Sequence, residues 1–286
     1  MEERNERGET LEEFLARYDE TQYRRPSNTV DMILLTVLKG KLKVLLVKRK
    51  DHPFIHDWAM PGGFVNFDED LDTAMKRELE EETNLFDSTY FRQLYTFGNA
   101  DRDPRTRVIT TVYLSMTPAE NIKMTSAGDD AMDTGWFTIQ KITMTTDGHE
   151  RKSILMLDEE EKGIHLRYEI YDTACDNYVQ TRSKLLESSN AKLAADHIKA
   201  INMAIDVVRN RAASTGIMFN LLPKECTLRE IQEVYEAIVN HPVDTGNFRR
   251  DIKKMLVATG STTIVNGRKV ATYSFNPLLP FVKETL

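Results

Sequence analysis

The chain has 286 residues, 45 acidic and 38 basic side chains, a net charge of −7 and 41% hydrophobic residues. That length predicts two domains with a sizeable core, and the composition excludes collagenous, low-complexity and disordered classes. The longest apolar run, about Met32–Leu38, falls far short of the roughly 20 residues a bilayer span needs. Cys175 and Cys226 are too few for a disulfide framework and have no His or Cys at metal spacing. The charged N-terminus lacks the apolar core of a secretory signal, so a reduced, cytoplasmic protein is expected.

In chain order, Thr10–Tyr18 predicts a short amphipathic helix within an N-terminal segment, 1–25. Thr29–Leu38 and Lys41–Val47 are apolar and β-branched, and Lys39-Gly40 between them reads as a hairpin turn. A loop with Pro53, Pro61, Gly62 and Gly63 leads to an acidic helix over about Leu71–Thr83. Strands are expected near Phe91–Phe97, Arg107–Ser115 and Gly135–Thr138. Ser153–Leu157 and Ile164–Tyr171 flank an acidic turn and predict a further hairpin, with 172–190 read as loop or short helix. Lys192–Arg211 is strongly helical, with Leu193, Ile198, Ile201, Ala204, Ile205 and Val208 on one broad face. Thr227 and Glu230 have capping-box spacing at the head of a helix to Val239, and Asn247–Leu256 predicts another. Thr262–Val265 and Val270–Phe275 form a terminal hairpin. The expected domains are 26–213, with an insertion at about 141–191, and 214–286.

The acidic helix poses a physical problem. Glu78, Glu81 and Glu82 stand at i, i+3 and i+4, within an arc of about 100°. They overlap and border the apolar stripe Leu71, Met75, Leu79, while Glu80 points to water. They also crowd the last turn, where the helix dipole disfavours anions. A solvated acidic face is one reading. The other is a divalent cation, because oxygen-only ligands beside a single local counterion, Arg77, suit Mg²⁺ or Mn²⁺.

The spacing of this segment resembles the Nudix box, G-x5-E-x7-R-E-U-x-E-E-x-G-U with U apolar. Gly63, Glu69, Arg77, Glu78, Leu79, Glu81, Glu82 and Leu85 occupy its specified positions, and Asn84 stands where the family has glycine. Asn tolerates the left-handed backbone of a helix end next best, so the loop–helix–loop is expected to persist. The resemblance implies an α+β fold, a Nudix α/β/α sandwich with a mixed sheet. It also implies Mg²⁺- or Mn²⁺-dependent hydrolysis of a nucleoside-diphosphate-linked substrate. On it, Glu78, Glu81 and Glu82, with Gly63, would hold metal, Arg77 would orient the carboxylates, and Gly63, Glu69, Leu79 and Asn84 would shape the box. The general base is left open among Glu78, Glu120, Asp129 and Asp130.

Further stretches resemble the Nudix branch of ADP-ribose pyrophosphatases and related transcriptional regulators. They are 22–37, 52–65, 92–114, 127–137 and 193–201. Arg102, Arg105 and Arg107 then become candidates for gripping a pyrophosphate or ribose, although a salt-bridged loop reads equally from these residues alone. His52 and His56 are read as loop residues.

Residues 214–286 carry nine basic and seven acidic side chains, so the negative charge lies in the rest of the chain. The segment resembles the winged helix-turn-helix of those regulators. Arg249, Arg250, Lys253 and Lys254 are candidates for a major groove, and Arg268 and Lys269 for a phosphate or minor groove of double-stranded DNA. Dimerisation or protein docking is the alternative use of such a module. Two functions follow: hydrolysis of ADP-ribose to AMP and ribose 5-phosphate, which the complete set of carboxylates favours, or regulation of NAD or sugar metabolism with the Nudix domain as nucleotide sensor. A homodimer is implied by the resemblance.

Overall fold

A computed structural model describes residues 3–83, 85, 90–124, 131–176 and 178–276. Asn84, Asp129 and Asp130 lie outside the described residues. The apolar runs form β1 (Ser27–Leu38) and β2 (Lys41–Arg49), joined by Lys39 at φ 51° and Gly40 at φ 69°. Two successive left-handed residues are what a two-residue hairpin turn requires. Short strands β3 (Trp58–Ala59) and β4 (Gly62–Phe64) lead to helix α2 (Leu71–Thr83), followed by β5 (Tyr90–Phe97) and β6 (Val108–Met116). Strands β7 (Ala131–Asp147), β8 (Glu150–Glu159), β9 (Ile164–Cys175) and β10 (Tyr178–Leu185) then run as an antiparallel meander.

The strands make one mixed sheet in the order β10-β9-β8-β7-β2-β1-β6-β5, with β3 on β2 and β4 on β1. Among the described strands only β1 and β6 pair in parallel; the remaining ladders of the sheet are antiparallel. Central β1 is buried on both faces, which explains its unbroken apolar run. Val30, Met32 and Leu34 pack toward Ala74, Met75 and Leu79 of α2. Ile33, Leu35 and Val37 belong to the opposite core, with Ile198, Ile201, Ala204, Ile205 and Val208 of α3 (His197–Arg211). The sheet is therefore sandwiched between α2 and α3.

Most of the stretch 172–190 is strand rather than loop or helix: it completes β9 and supplies β10, an edge strand whose residues are all exposed or half-buried, and only 186–190 beyond it are loop. A strand wetted on both faces has no period-2 apolar signal to read. The long helix also begins five residues later than expected. Trp58 donates to the Lys192 carbonyl and Ala194 donates to the Trp58 carbonyl, so 192–194 are held extended against β3.

The C-terminal part contains α4 (Leu228–Val239), α5 (Thr245–Ile252), a 3-10 turn Lys253–Met255, and the hairpin β11 (Leu256–Val265) and β12 (Arg268–Phe275). Thr227 and Glu230 form the expected capping box. The second helix is shorter than the sequence suggests, because Lys253–Met255 tighten before the chain enters β11. Ile217, Met218, Leu221, Ile231, Val234, Ile238, Phe248 and Ile252 join the same apolar cluster as α3 and the sheet. One core thus runs from the sheet through α3 into α4 and α5. At the other end of the chain, α1 (Leu11–Arg17) has its own capping box but buries none of its residues.

Alongside α3 lies a buried ionic network. Lys141 Nζ, with only 2% of its side chain exposed, is 2.6 Å from Asp206 and 3.8 Å from Asp172. Arg151 reaches Asp172 at 2.8 Å and also contacts Asp206. Asn202 of α3 donates to Asp172 at 3.2 Å. Burial pushes Lys141 below the ordinary lysine pKa, and the two carboxylates oppose that push. Asp206→Ala should lower stability by about 3 kcal/mol in urea denaturation, because it leaves the buried ammonium only Asp172, at 3.8 Å and shared with Arg151. Lys141→Met should cost much less, since Arg151 still serves both carboxylates; equal losses in the two variants would refute this account.

Candidate functional site

The cleft is built from the N-terminal half of β1, the end of β2 with the loop after it to Phe54, the Gly62–Phe64 strand, the outward side of α2, the loop at Arg102–Arg105 and the residues before α3. Its volume is about 910 Å³. Gly62 and Gly63 allow the chain to press against its neighbours. A Cβ on Gly62, at φ 149°, would lie 2.2 Å from the Val30 carbonyl; one on Gly63 would lie 2.2 Å from Glu78 Oε1. Any side chain at 63 would displace the carboxylate behind it.

Arg77 organises this wall. Its Nε and Nη2 donate to the two oxygens of Glu69 at 3.1 and 2.7 Å. Nη1 donates to Glu78 Oε1 at 2.7 Å and Glu81 Oε2 at 3.1 Å, and Nη2 also reaches the Phe64 carbonyl at 3.1 Å. These bonds use the full donor capacity of a guanidinium. Hydrogen bonding from Arg77, helped by the Asn66 N–H, holds Glu69 at a pKa of about 2. Glu78 goes the other way: burial raises its pKa, and Arg77 only partly offsets this. Glu81 is exposed, Glu82 half-buried, and both line the cleft with Arg77 and Glu78. Leu79 is buried beneath α2, in the core rather than the cleft.

The donor set suits a hard divalent cation: carboxylate oxygens from adjoining helical turns, behind a glycine that leaves them room. In this arrangement no three His, Cys, Asp or Glu groups among the described residues are gathered as metal ligands. Arg77 holds one oxygen each of Glu78 and Glu81, so mutual repulsion is relieved by arginine before any cation enters. The sequence points to Arg77 as the local counterion and as the group that would orient the carboxylates, but to a divalent cation for relief of their repulsion.

The three candidate arginines fare differently. Arg102 lines the cleft, but only 7% of its side chain is exposed and it is already paired. Its Nε and Nη2 donate to Asp196 at 3.2 and 2.9 Å, and Nη2 lies 3.9 Å from Asp31. Arg105 lines the cleft, pairs with Asp103 at 2.8 Å and stacks over the Phe64 ring at 5.6 Å. Arg107 is exposed just before β6 and does not line the cleft. Asp31, Phe54, Asp103 and His197 also line it; each lies in a stretch that resembles the pyrophosphatase branch, but none is singled out there as a site residue. Phe54 sits at φ 64° beside an apolar patch of Val47, Ala59 and Ala194. His197 Nδ1 accepts from the Met60 N–H at 2.9 Å, and burial holds its pKa low, so the ring is neutral. His52 lines the cleft and His56 does not. Glu120 is exposed in the 3-10 segment Ala119–Met124, away from the cleft lining. The cleft thus offers an acidic end, an arginine-bearing side and an apolar wall, which together fit a diphosphate joined to a flatter group.

In the C-terminal module Arg249, Arg250, Lys253, Lys254, Arg268 and Lys269 are all exposed. Arg249 and Arg250 stand in the last turn of α5, where Arg250 is paired with Asp251 at 3.1 Å. Phe248 anchors that helix on Tyr235 of α4, ring centroids 5.2 Å apart. Arg268 and Lys269 follow the Asn266-Gly267 turn, whose φ values of 50° and 76° suit a tight hairpin. No helix among the described residues is long and apolar enough to cross a membrane.

A NUDIX domain profile matches residues 26–157, and an NrtR DNA-binding winged helix domain profile matches 218–275. The chain is 28% identical to the ADPR responsive transcriptional repressor NtrR of Acinetobacter baylyi, over 92% of this chain and 87% of that protein. It is 35% identical to an ADP-ribose pyrophosphatase of Methanocaldococcus jannaschii, over 45% of this chain and 72% of that one. A MutT/nudix family protein from Enterococcus faecalis has a similar structure, with a TM-score of 0.69, 29% identity and 95% of both chains covered. NrtR of Shewanella oneidensis complexed with a 27mer DNA matches with a TM-score of 0.58 and 26% identity, over 87% of this chain and 93% of that one.

The Arg77 clamp predicts a specific titration. Glu69 should titrate near pH 2 by carboxyl NMR and move back toward 4.5 in Arg77→Gln. Its folded pKa is depressed, so its contribution to stability is present above about pH 4.5 and is lost as the pH falls through about 2. A Glu69 that titrates near 4.5 in the unaltered protein would contradict the clamp.

Proposed function

The chain belongs to the Nudix family and carries an NrtR-type winged helix, and on that premise we propose that it is a DNA-binding transcriptional regulator whose Nudix cleft binds ADP-ribose. One observation carries this reading: the module bearing the exposed cations shares a continuous core with the module bearing the cleft. A nucleotide in the cleft and a duplex on α5 and the wing then act on one packed body. The similarity to the Acinetobacter repressor across both modules supports it. On this reading α5 presents Arg249, Arg250, Lys253 and Lys254 to a groove, and Arg268 and Lys269 at the wing tip meet the backbone. A homodimer would offer two such modules to two half-sites.

Hydrolysis of ADP-ribose to AMP and ribose 5-phosphate is the second reading. It is favoured by Arg77, Glu78, Glu81 and Glu82 all lining the cleft behind Gly63. Glu78, Glu81 and Glu82, with the Gly63 backbone, would hold Mg²⁺ or Mn²⁺. When bound, the cation supplies neutralisation of the diphosphate and activation of the attacking water. Arg77 orients the carboxylates, and Arg105 offers a cation at the cleft's rim. Burial makes Glu78 the more basic carboxylate, which suits it to accept a proton.

In a gel shift with DNA from upstream of its own operon, affinity should fall steeply with salt, by a log–log slope of about −0.9 per neutralised phosphate. Arg249→Ala/Arg250→Ala should weaken it about tenfold or more, and ADP-ribose should change it. Absence of any shift at low salt would remove the regulator reading. With Mg²⁺, release of AMP from ADP-ribose should drop by on the order of 10²-fold or more in Glu82→Gln. An unaltered protein that releases no AMP would restrict the cleft to sensing.

A further inference from the structure

The residues that enter α3 sit in an arrangement that a helix start does not prefer. Asp196 occupies the N-cap position, where an aspartate ordinarily turns its carboxylate onto the first-turn N–H groups from an extended backbone. Here its φ and ψ are −101° and 15°, and its side chain makes no capping hydrogen bond. The preceding Ala195 is at φ 44°, a left-handed conformation that is strained for a residue with a Cβ. The carboxylate is instead held by two bonds to Arg102, 94 residues earlier in the chain. Arg102, Ala194, Ala195 and His197 all line the cleft. The strain and the uncapped helix therefore lie against the place a diphosphate would occupy.

We infer that the Arg102–Asp196 pair is the switch by which an occupied cleft changes the position of α3, and through α3 the DNA-binding module. This deepens the regulator reading and rests on it. A diphosphate beside Arg102 brings strong bidentate acceptors for its guanidinium. Around that one cation there would then be three anionic groups: the ligand, Asp31 and Asp196. Asp31 is fixed on β1, where its carboxylate accepts from the Thr110 hydroxyl at 2.6 Å. Asp196 has another donor at hand in the first turn, the N–H of Ile198, while the Lys199 N–H already goes to the Asp196 carbonyl at 2.9 Å. It is the partner that leaves. Its capture by the helix start requires an extended Asp196 backbone, and an accompanying rotation at Ala195 would relieve the left-handed φ there.

The far end of α3 is attached where the signal is needed. Arg209 donates from Nε to the Ile238 carbonyl of α4 at 2.9 Å and from Nη1 to the Lys141 carbonyl of β7 at 3.2 Å. Val208 and Ala212 are buried in the core shared with Ile217, Met218 and Ile238. With 15 residues, α3 spans about 22 Å. A rigid element with two alternative settings at one end and a fixed joint at the other is the minimum needed to couple two sites.

Asp196→Asn keeps the size and one side-chain oxygen able to cap the helix, but removes the charge and the second oxygen by which Arg102 is held. Operator affinity would be measured by fluorescence anisotropy without and with excess ADP-ribose, and ADP-ribose affinity by calorimetry. In the unaltered protein the two operator Kd values should differ by at least about fivefold. In Asp196→Asn their ratio should collapse toward one, with the ligand-free variant at the unaltered protein's ligand-bound value. By reciprocity the variant should also bind ADP-ribose more tightly. Hydrogen exchange of the unaltered protein gives a second measure that needs no substitution: the Ile198 amide should be slowed by ADP-ribose. A variant that keeps the full ratio, or an Ile198 amide unmoved by bound ADP-ribose, overturns the switch while leaving the regulator reading intact. Failure of the unaltered protein to bind either ADP-ribose or DNA removes both.

Discussion

Every feature of the acidic wall returns to one guanidinium. Three of the glutamates within reach of Arg77 would repel one another if left to themselves, and the last helical turn adds the unfavourable end of a dipole. Arg77 removes both costs by binding Glu69 with two parallel bonds, reaching Glu78 and Glu81, and tying the helix to the Phe64 carbonyl of β4. Lysine could not substitute, because a point charge has neither the fork nor the number of donors. The glycine opposite completes the constraint: α2 can approach β4 this closely only because residue 63 has no side chain. The clamp leaves a graded wall, with Glu69 strongly acidic, Glu78 buried and more basic, and Glu81 and Glu82 at the cleft.

The second organising element is α3. Its eight buried residues include His197 and Asn202, polar groups placed where the helix meets β3 and the β-meander. His197 accepts the Met60 N–H and the Asn202 amide donates to Asp172, so each ties the helix to a defined partner. The helix is consequently fixed along its length by apolar packing and at defined points by polar bonds. Such a helix transmits displacement rather than absorbing it.

Local patterns carried much of this. The spacing of Gly63, Glu69, Arg77 and the glutamates located α2 and its cleft-facing side, because a helix repeats its faces every three to four residues. Capping chemistry at Thr227 and the apolar stripe of α3 were equally legible. What escaped were arrangements made between distant segments. Nothing near Arg102 announces Asp196, and nothing near Leu193 announces its pairing with Trp58. Strand β10 escaped for another reason: its two wet faces leave no periodic signal, so it exists only because β9 offers it an edge.

The continuous interior has a consequence for how this protein can be dissected or recombined. A cut between α3 and α4 would expose Val208, Ala212, Ile217 and Ile238 at once, on both fragments. Neither half would be a soluble bead detachable from a string, and grafting the C-terminal piece onto a foreign partner would carry sticky surface with it. The two halves should instead melt in a single cooperative step.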